Sequence, residues 1–194
     1  MTGKNFADGV KLALNVNTQD APVSMDERTI IWLADKVRNS ILPKYLQAYG
    51  NQSIGSFTRA SLIDVKLDTT RDLKYSDITD VVSSIAGDMG IVSVGYSQDD
   101  EDTFIISKAG QQAVYSKLFS TSKPKAWQEA GRLYYKNLPF GVTQVLLRCV
   151  PQLPSIPTTE EMPIPSDIIS DVINGVVQLI TVGKEDKIND GAAN

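Results

Sequence analysis

The chain has 194 residues, 42% of them hydrophobic and 22% charged, with a formal net charge of −4 and a pI near 4.9. That is an ordinary soluble globular composition, long enough to bury a core without staples, and its acidic balance argues against a protein built to clamp phosphate backbones. Histidine is absent and Cys149 is the only cysteine, which removes Ser-His and Cys-His nucleophile pairs, the commonest metal ligand, any intrachain disulfide and any thiolate zinc cluster.

Residues 1–23 carry Asn, Thr, Asp and Gly with scattered apolar residues and no sustained period. They read as a flexible arm that orders against a partner, or as a frayed terminus. The start, Met1-Thr2-Gly3-Lys4-Asn5, lacks the apolar core of a signal peptide, and no apolar run approaches the roughly 20 residues that span a bilayer. Synthesis in the cytoplasm without a membrane anchor is the expectation.

Ser24-Met25-Asp26-Glu27 has capping-box spacing, and Ile30, Leu33, Ala34, Val37 and Ile41 recur at three- and four-residue steps. The pattern predicts a helix with one buried face, kinked or broken by Pro43, continued by Lys44 to Tyr49 and stopped at Gly50. From Ser61 the period becomes two. Ile63, Val65 and Leu67 alternate with Asp64, Lys66 and Asp68, which predicts a strand with one wet face. Ser76 to Ala86 fits a strand or a helix.

Gly87-Asp88-Met89-Gly90 is a turn; Ile91, Val92 and Val94 start a strand, with Phe104, Ile105 and Ile106 as its hairpin partner across a tip at Ser97 to Asp102. Gln111 to Phe119 reads as a short helix. Ala126 to Glu129 and Arg132 to Lys136 flank a hairpin turn at Ala130-Gly131. Asn137-Leu138-Pro139-Phe140-Gly141 then turns the chain into the β-branched and Leu-rich run Val142 to Val150, a central strand. Leu153 to Ile164 holds three prolines and reads as an extended connector.

A closing helix begins near Pro165-Ser166-Asp167. Ile169, Val172, Ile173, Val176 and Ile180 form its apolar face, widened by Ile168, Val177 and Leu179. A helix apolar nearly all round is buried on more than one side, in part by a neighbouring subunit. Gly183 ends it, leaving Lys184 to Asn194 as a polar tail. The fold class is therefore α+β: a long kinked N-terminal helix and a C-terminal apolar helix packed with a mainly antiparallel β-sheet of hairpins. Residues 1–23 are the arm, 24–183 one domain and 184–194 the tail.

Candidate chemistry is sparse. Asp99-Asp100-Glu101-Asp102 is an acidic run, but consecutive carboxylates in extended chain point to opposite sides and suit a solvated tip better than one ion. Asp186 to Gly191 has the outline of a calcium loop with Ile188 where an oxygen ligand is required, and is rejected. Lys123-Pro124-Lys125 near Trp127 is too small for a nucleic-acid patch, so surface solubilisation is favoured. Asn51-Gln52-Ser53 is a sequon without secretory context. Cys149, on the strand face of Val145 and Leu147, reads as a small buried hydrophobe. Phosphate loop, dinucleotide fingerprint and nucleophile elbow are all missing from the sequence. No catalytic, cofactor-binding or metal-ligating residue is assigned.

Three segments in order carry a family resemblance. The first is the helix from Ser24 to Tyr49 ahead of the sheet. The second is Arg132-Leu133-Tyr134-Tyr135-Lys136-Asn137-Leu138-Pro139-Phe140-Gly141-Val142, running into the strand that ends Arg148-Cys149-Val150-Pro151. The third is Met162-Pro163-Ile164-Pro165-Ser166-Asp167-Ile168-Ile169, opening the apolar helix. From about Ser24 onward the chain resembles the head-to-tail connector (adaptor or ring) proteins of podovirus-type tailed phages, most closely those of crAss-like phages. The resemblance implies a non-enzymatic virion protein without cofactors. It implies a cyclic homo-oligomer, a dodecamer, that meets the portal and neighbouring neck and tail rings while genomic DNA passes through unread. Two other classes share the pattern: an interaction module of a non-viral complex, and an enzyme working with Asp, Lys or Tyr alone.

Overall fold

The computed structural model describes residues 1–17, 25–83, 90–96, 104–107 and 123–191. They divide into two compact units, where the sequence suggested one domain over 24–183: Met1–Phe57 with Gln152–Asn194, and Thr58–Pro151. The class is α+β, with three α-helices in the first unit and two mainly antiparallel sheets in the second.

The first unit begins with α1 (Gly3–Asn17), which corrects the expectation of an arm over residues 1–23 for its first 17 residues. Phe6, Val10 and Leu14, each one helical step of four apart, are fully buried together with Ala7. This narrow stripe is what holds α1 down among many Asn, Asp and Lys residues. The start of the chain is tied to the connector as well. Met162 N–H donates to Met1 O at 3.0 Å and Lys4 N–H to Thr158 O at 2.9 Å.

α2 (Glu27–Tyr49) follows in one run of 23 residues with Pro43 inside it. Pro43 has no amide to donate, so one backbone bond is missing there while the helix continues. Asp26 precedes α2 without a side-chain cap bond; the expected cap, Ser24, lies outside the described residues. Gly50 takes φ +81° and donates its amide to Leu46 O, stopping the helix where the sequence placed the stop.

After the 3-10 turn Leu153–Ser155, residues 156–168 cross in turns and extended chain to α3 (Ile169–Gly191). Helix α3 runs through Gly183 and corrects the expected stop there. Interior glycine costs about 1 kcal/mol of helix propensity, which does not by itself end a helix. Ile168, Val172, Val176, Val177 and Ile180 are buried. Gly175 lets α2 approach closely: a Cβ there would lie 2.6 Å from Val37 Cγ1.

In the second unit a three-stranded sheet has the order β1-β8-β4 and a five-stranded sheet the order β2-β3-β7-β6-β5. β1 (Arg59–Asp64) and β4 (Ile91–Gly95) flank β8 (Gln144–Cys149), with Ile63 opposite Val145 and Leu147 opposite Val94. β8 is thus central, as its composition indicated. β2 (Lys66–Asp68), β3 (Leu73–Asp77) and β7 (Arg132–Lys136) pair antiparallel in succession.

β6 (Lys125–Glu129) forms the expected hairpin with β7, closed by Ala130 at φ +48° and Gly131 at φ +76°. Two positive φ values in a two-residue turn match the twist of the flanking strands. The core between Ile63, Ile78, Val94, Phe104, Leu133, Tyr135, Val145 and Leu147 includes the buried Cys149.

Two sequence expectations change here. The alternation from Ile63 to Leu67 is not one strand, because Val65 breaks it into β1 and β2, which enter different sheets. β5 (Ile105–Ser107) is not the hairpin partner of β4; it lies parallel to β6, with Ile106 opposite Ala126. One backbone bond, Phe104 N–H to Val94 O at 2.7 Å, is what remains of the expected pairing.

Candidate interaction surfaces

Strand alternation puts Leu133 and Tyr135 of β7 on the core side and sends Arg132, Tyr134 and Lys136 to the opposite face of the five-stranded sheet. On that face Tyr134 stacks on Trp127 with centroids 5.8 Å apart and meets Tyr75 at 5.9 Å. Arg71 lies 5.2 Å from the Tyr134 ring and Arg132 4.5 Å from that of Tyr75. The two guanidiniums are held in turn by carboxylates: Arg71 bonds Glu129 at 3.0 Å, and Arg132 lies 3.6 Å from both Asp68 and Asp77.

Lys66 bonds Asp77 at 2.6 Å, and the bond to that carboxylate raises its pKa above the ordinary lysine value. Trp127 and Tyr134 are buried under this lattice. Their ring faces are therefore not open to stack on bases, and positive and negative groups alternate across the surface. The Lys123-Pro124-Lys125 segment and Trp127 do not combine into a nucleic-acid site.

The Asn137–Gly141 turn at one end of this sheet is different. Asn137 at φ +59° and Gly141 at φ +86° bracket Pro139, whose carbonyl accepts a 2.9 Å bond from Lys74 Nζ. The turn holds Phe140 outward at 104% exposure. Leu67, opposite Lys74 in the β2–β3 register, is 59% exposed. Phe140 and Leu67 are thus two exposed apolar side chains of the sheet unit. Nothing in the periodicity of the sequence marks Phe140 as exposed; only the Pro139 and Gly141 around it signal a turn.

The first unit has a buried polar knot and open apolar positions. Arg38 is fully buried, and its Nη2 donates to Asp35 Oδ1 at 2.8 Å. Asp35 also accepts from Asn39 Nδ2 at 3.1 Å and from the backbone amide of Leu153 at 2.9 Å. This knot ties α2 to the start of the connector.

Leu12 and Val16 on α1, Trp32 and Tyr49 on α2, and Leu179 and Val182 on α3 are exposed. Lys36 sits 5.3 Å over the Trp32 ring. An open groove of about 860 Å³ is lined by Lys11, Asp26, Glu27, Arg28, Ile31 and Ile156 among others. Its charges are of both signs and do not define one ligand.

The remaining sequence candidates resolve simply. Asp99 to Asp102 and Gln111 to Phe119 lie outside the described residues. Asp186 to Gly191 is helical backbone of α3, not a loop that wraps an ion. Asn51, Gln52 and Ser53 open a 3-10 helix. Cys149 is buried beside Leu147, as expected. Among the described residues no group of three or more Cys, Asp or Glu side chains is placed to hold a metal ion, and no helix is long and apolar enough to cross a membrane. No protein-family model matches the sequence, and no curated protein matches it either.

Proposed function

We propose that the chain is a structural subunit of a tailed-phage virion. In this proposal its copies close into a ring at the neck, joining the portal and capsid to the tail around the DNA channel. The ordered segments from Ser24 to Tyr49, Arg132 to Pro151 and Met162 to Ile169 support the connector assignment. The observation that carries the self-assembling part is the distribution of exposed apolar residues: Phe140 and Leu67 in one unit, and Leu12, Val16 and Trp32 in the other. A cyclic ring uses heterologous contacts, one surface of a subunit meeting a different surface of the next, so it needs two unlike surfaces on each copy, and exposed apolar residues in both units offer them. A net charge of −4 also leaves passing DNA ungripped.

In this proposal the subunit has no catalytic role and binds no cofactor. Its partners are its own copies, the portal and adjacent neck or tail rings. Negative-stain imaging of the purified chain, alone and mixed with a portal from a podovirus-type phage, tests it. Annular particles, or collars added to portal particles, are expected. A persistent monomer that leaves portals bare overturns the connector assignment and favours an interaction module of another complex.

A further inference from the structure

We draw no further inference here: the strongest candidate, the fully exposed Phe140 held outward by the Asn137–Gly141 turn at one end of the five-stranded sheet, is an unpartnered apolar surface and nothing in the structure shows what covers it.

Discussion

Removing the Asp35 carboxylate is the sharpest perturbation of the helical unit. In Asp35→Ala the guanidinium of Arg38, fully buried, loses the oxygen 2.8 Å away, and the Leu153 amide loses its acceptor at 2.9 Å. Breaking a buried ion pair from one side costs about 3–5 kcal/mol, because the remaining charge stays desolvated. The lost amide bond adds to the same event and is not summed separately. For a chain of this length the melting temperature is expected to fall by roughly 6–20 °C.

The double variant Asp35→Leu, Arg38→Met removes both charges at similar volume and is expected to recover part of that loss, the Leu153 amide still lacking its acceptor. Urea unfolding followed by helical circular dichroism reports on this unit, which holds the three α-helices of the described residues. Fluorescence of Trp127 in a Trp32→Phe background reports on the sheet unit, and comparing the two signals shows whether the units unfold together. The reasoning is refuted if Asp35→Ala shifts the helical transition by less than about 1 kcal/mol, or if the double variant is no more stable than the single.

Three further outcomes are expected. Burial holds the Tyr135 phenol well above its ordinary value of 10.0, while its hydrogen bond to Ser76 Oγ at 2.9 Å works weakly the other way. The neutral phenol is therefore favoured in the folded state. Its stabilisation is present below pH 10 and is lost above it, as the unfolded chain ionises first. Thermal melts from pH 8 to 11 should show a steeper alkaline loss for the parent than for Tyr135→Phe, which at neutral pH costs about 1 kcal/mol for the lost bond; parallel curves would contradict this.

Gly131→Ala places a Cβ 2.5 Å from Thr79 Oγ1 at φ +76°, whereas Gly141→Ala at φ +86° meets open space. Denaturant titration should give a loss of roughly 2–3 kcal/mol for the first and about 1 for the second. Gly175→Leu overpacks α3 against Val37 and should cost about 1–3 kcal/mol, partly restored by adding Val37→Ala; no restoration would place the strain elsewhere.

Elements that carry their own punctuation were readable without the structure. α2 shows its face in Ile30, Ala34 and Val37 and its stop in Gly50; the β6–β7 hairpin shows its turn in Ala130-Gly131. α1 was missed although Phe6, Ala7, Val10 and Leu14 recur at helical steps, because Leu12 and Val16 lie off that face and the Asn, Asp and Gly residues between them read as loop. Alternation tells which side of a strand is wet but not which sheet receives it. Ile63 and Leu67 thus look like one strand yet belong to two sheets. Parallel pairing of β5 with β6 has no local signature, because no tight turn joins the strands. The exposure of Phe140 and Leu67 was hidden for a related reason: it depends on the Asn137–Gly141 turn and on the β2–β3 register rather than on local periodicity.

The central claim is self-association into a closed ring through unlike surfaces, and the mass of the chain in solution tests it most directly. Native mass spectrometry or mass photometry should find one discrete assembly of identical copies. It would lie near roughly 250 kDa if twelve chains of 21.2 kDa close the ring. Phe140→Ser should abolish that species without altering the melting temperature, since Phe140 makes no buried contact within its own chain. A parent chain that stays monomeric at every concentration and in the presence of portal would contradict the account.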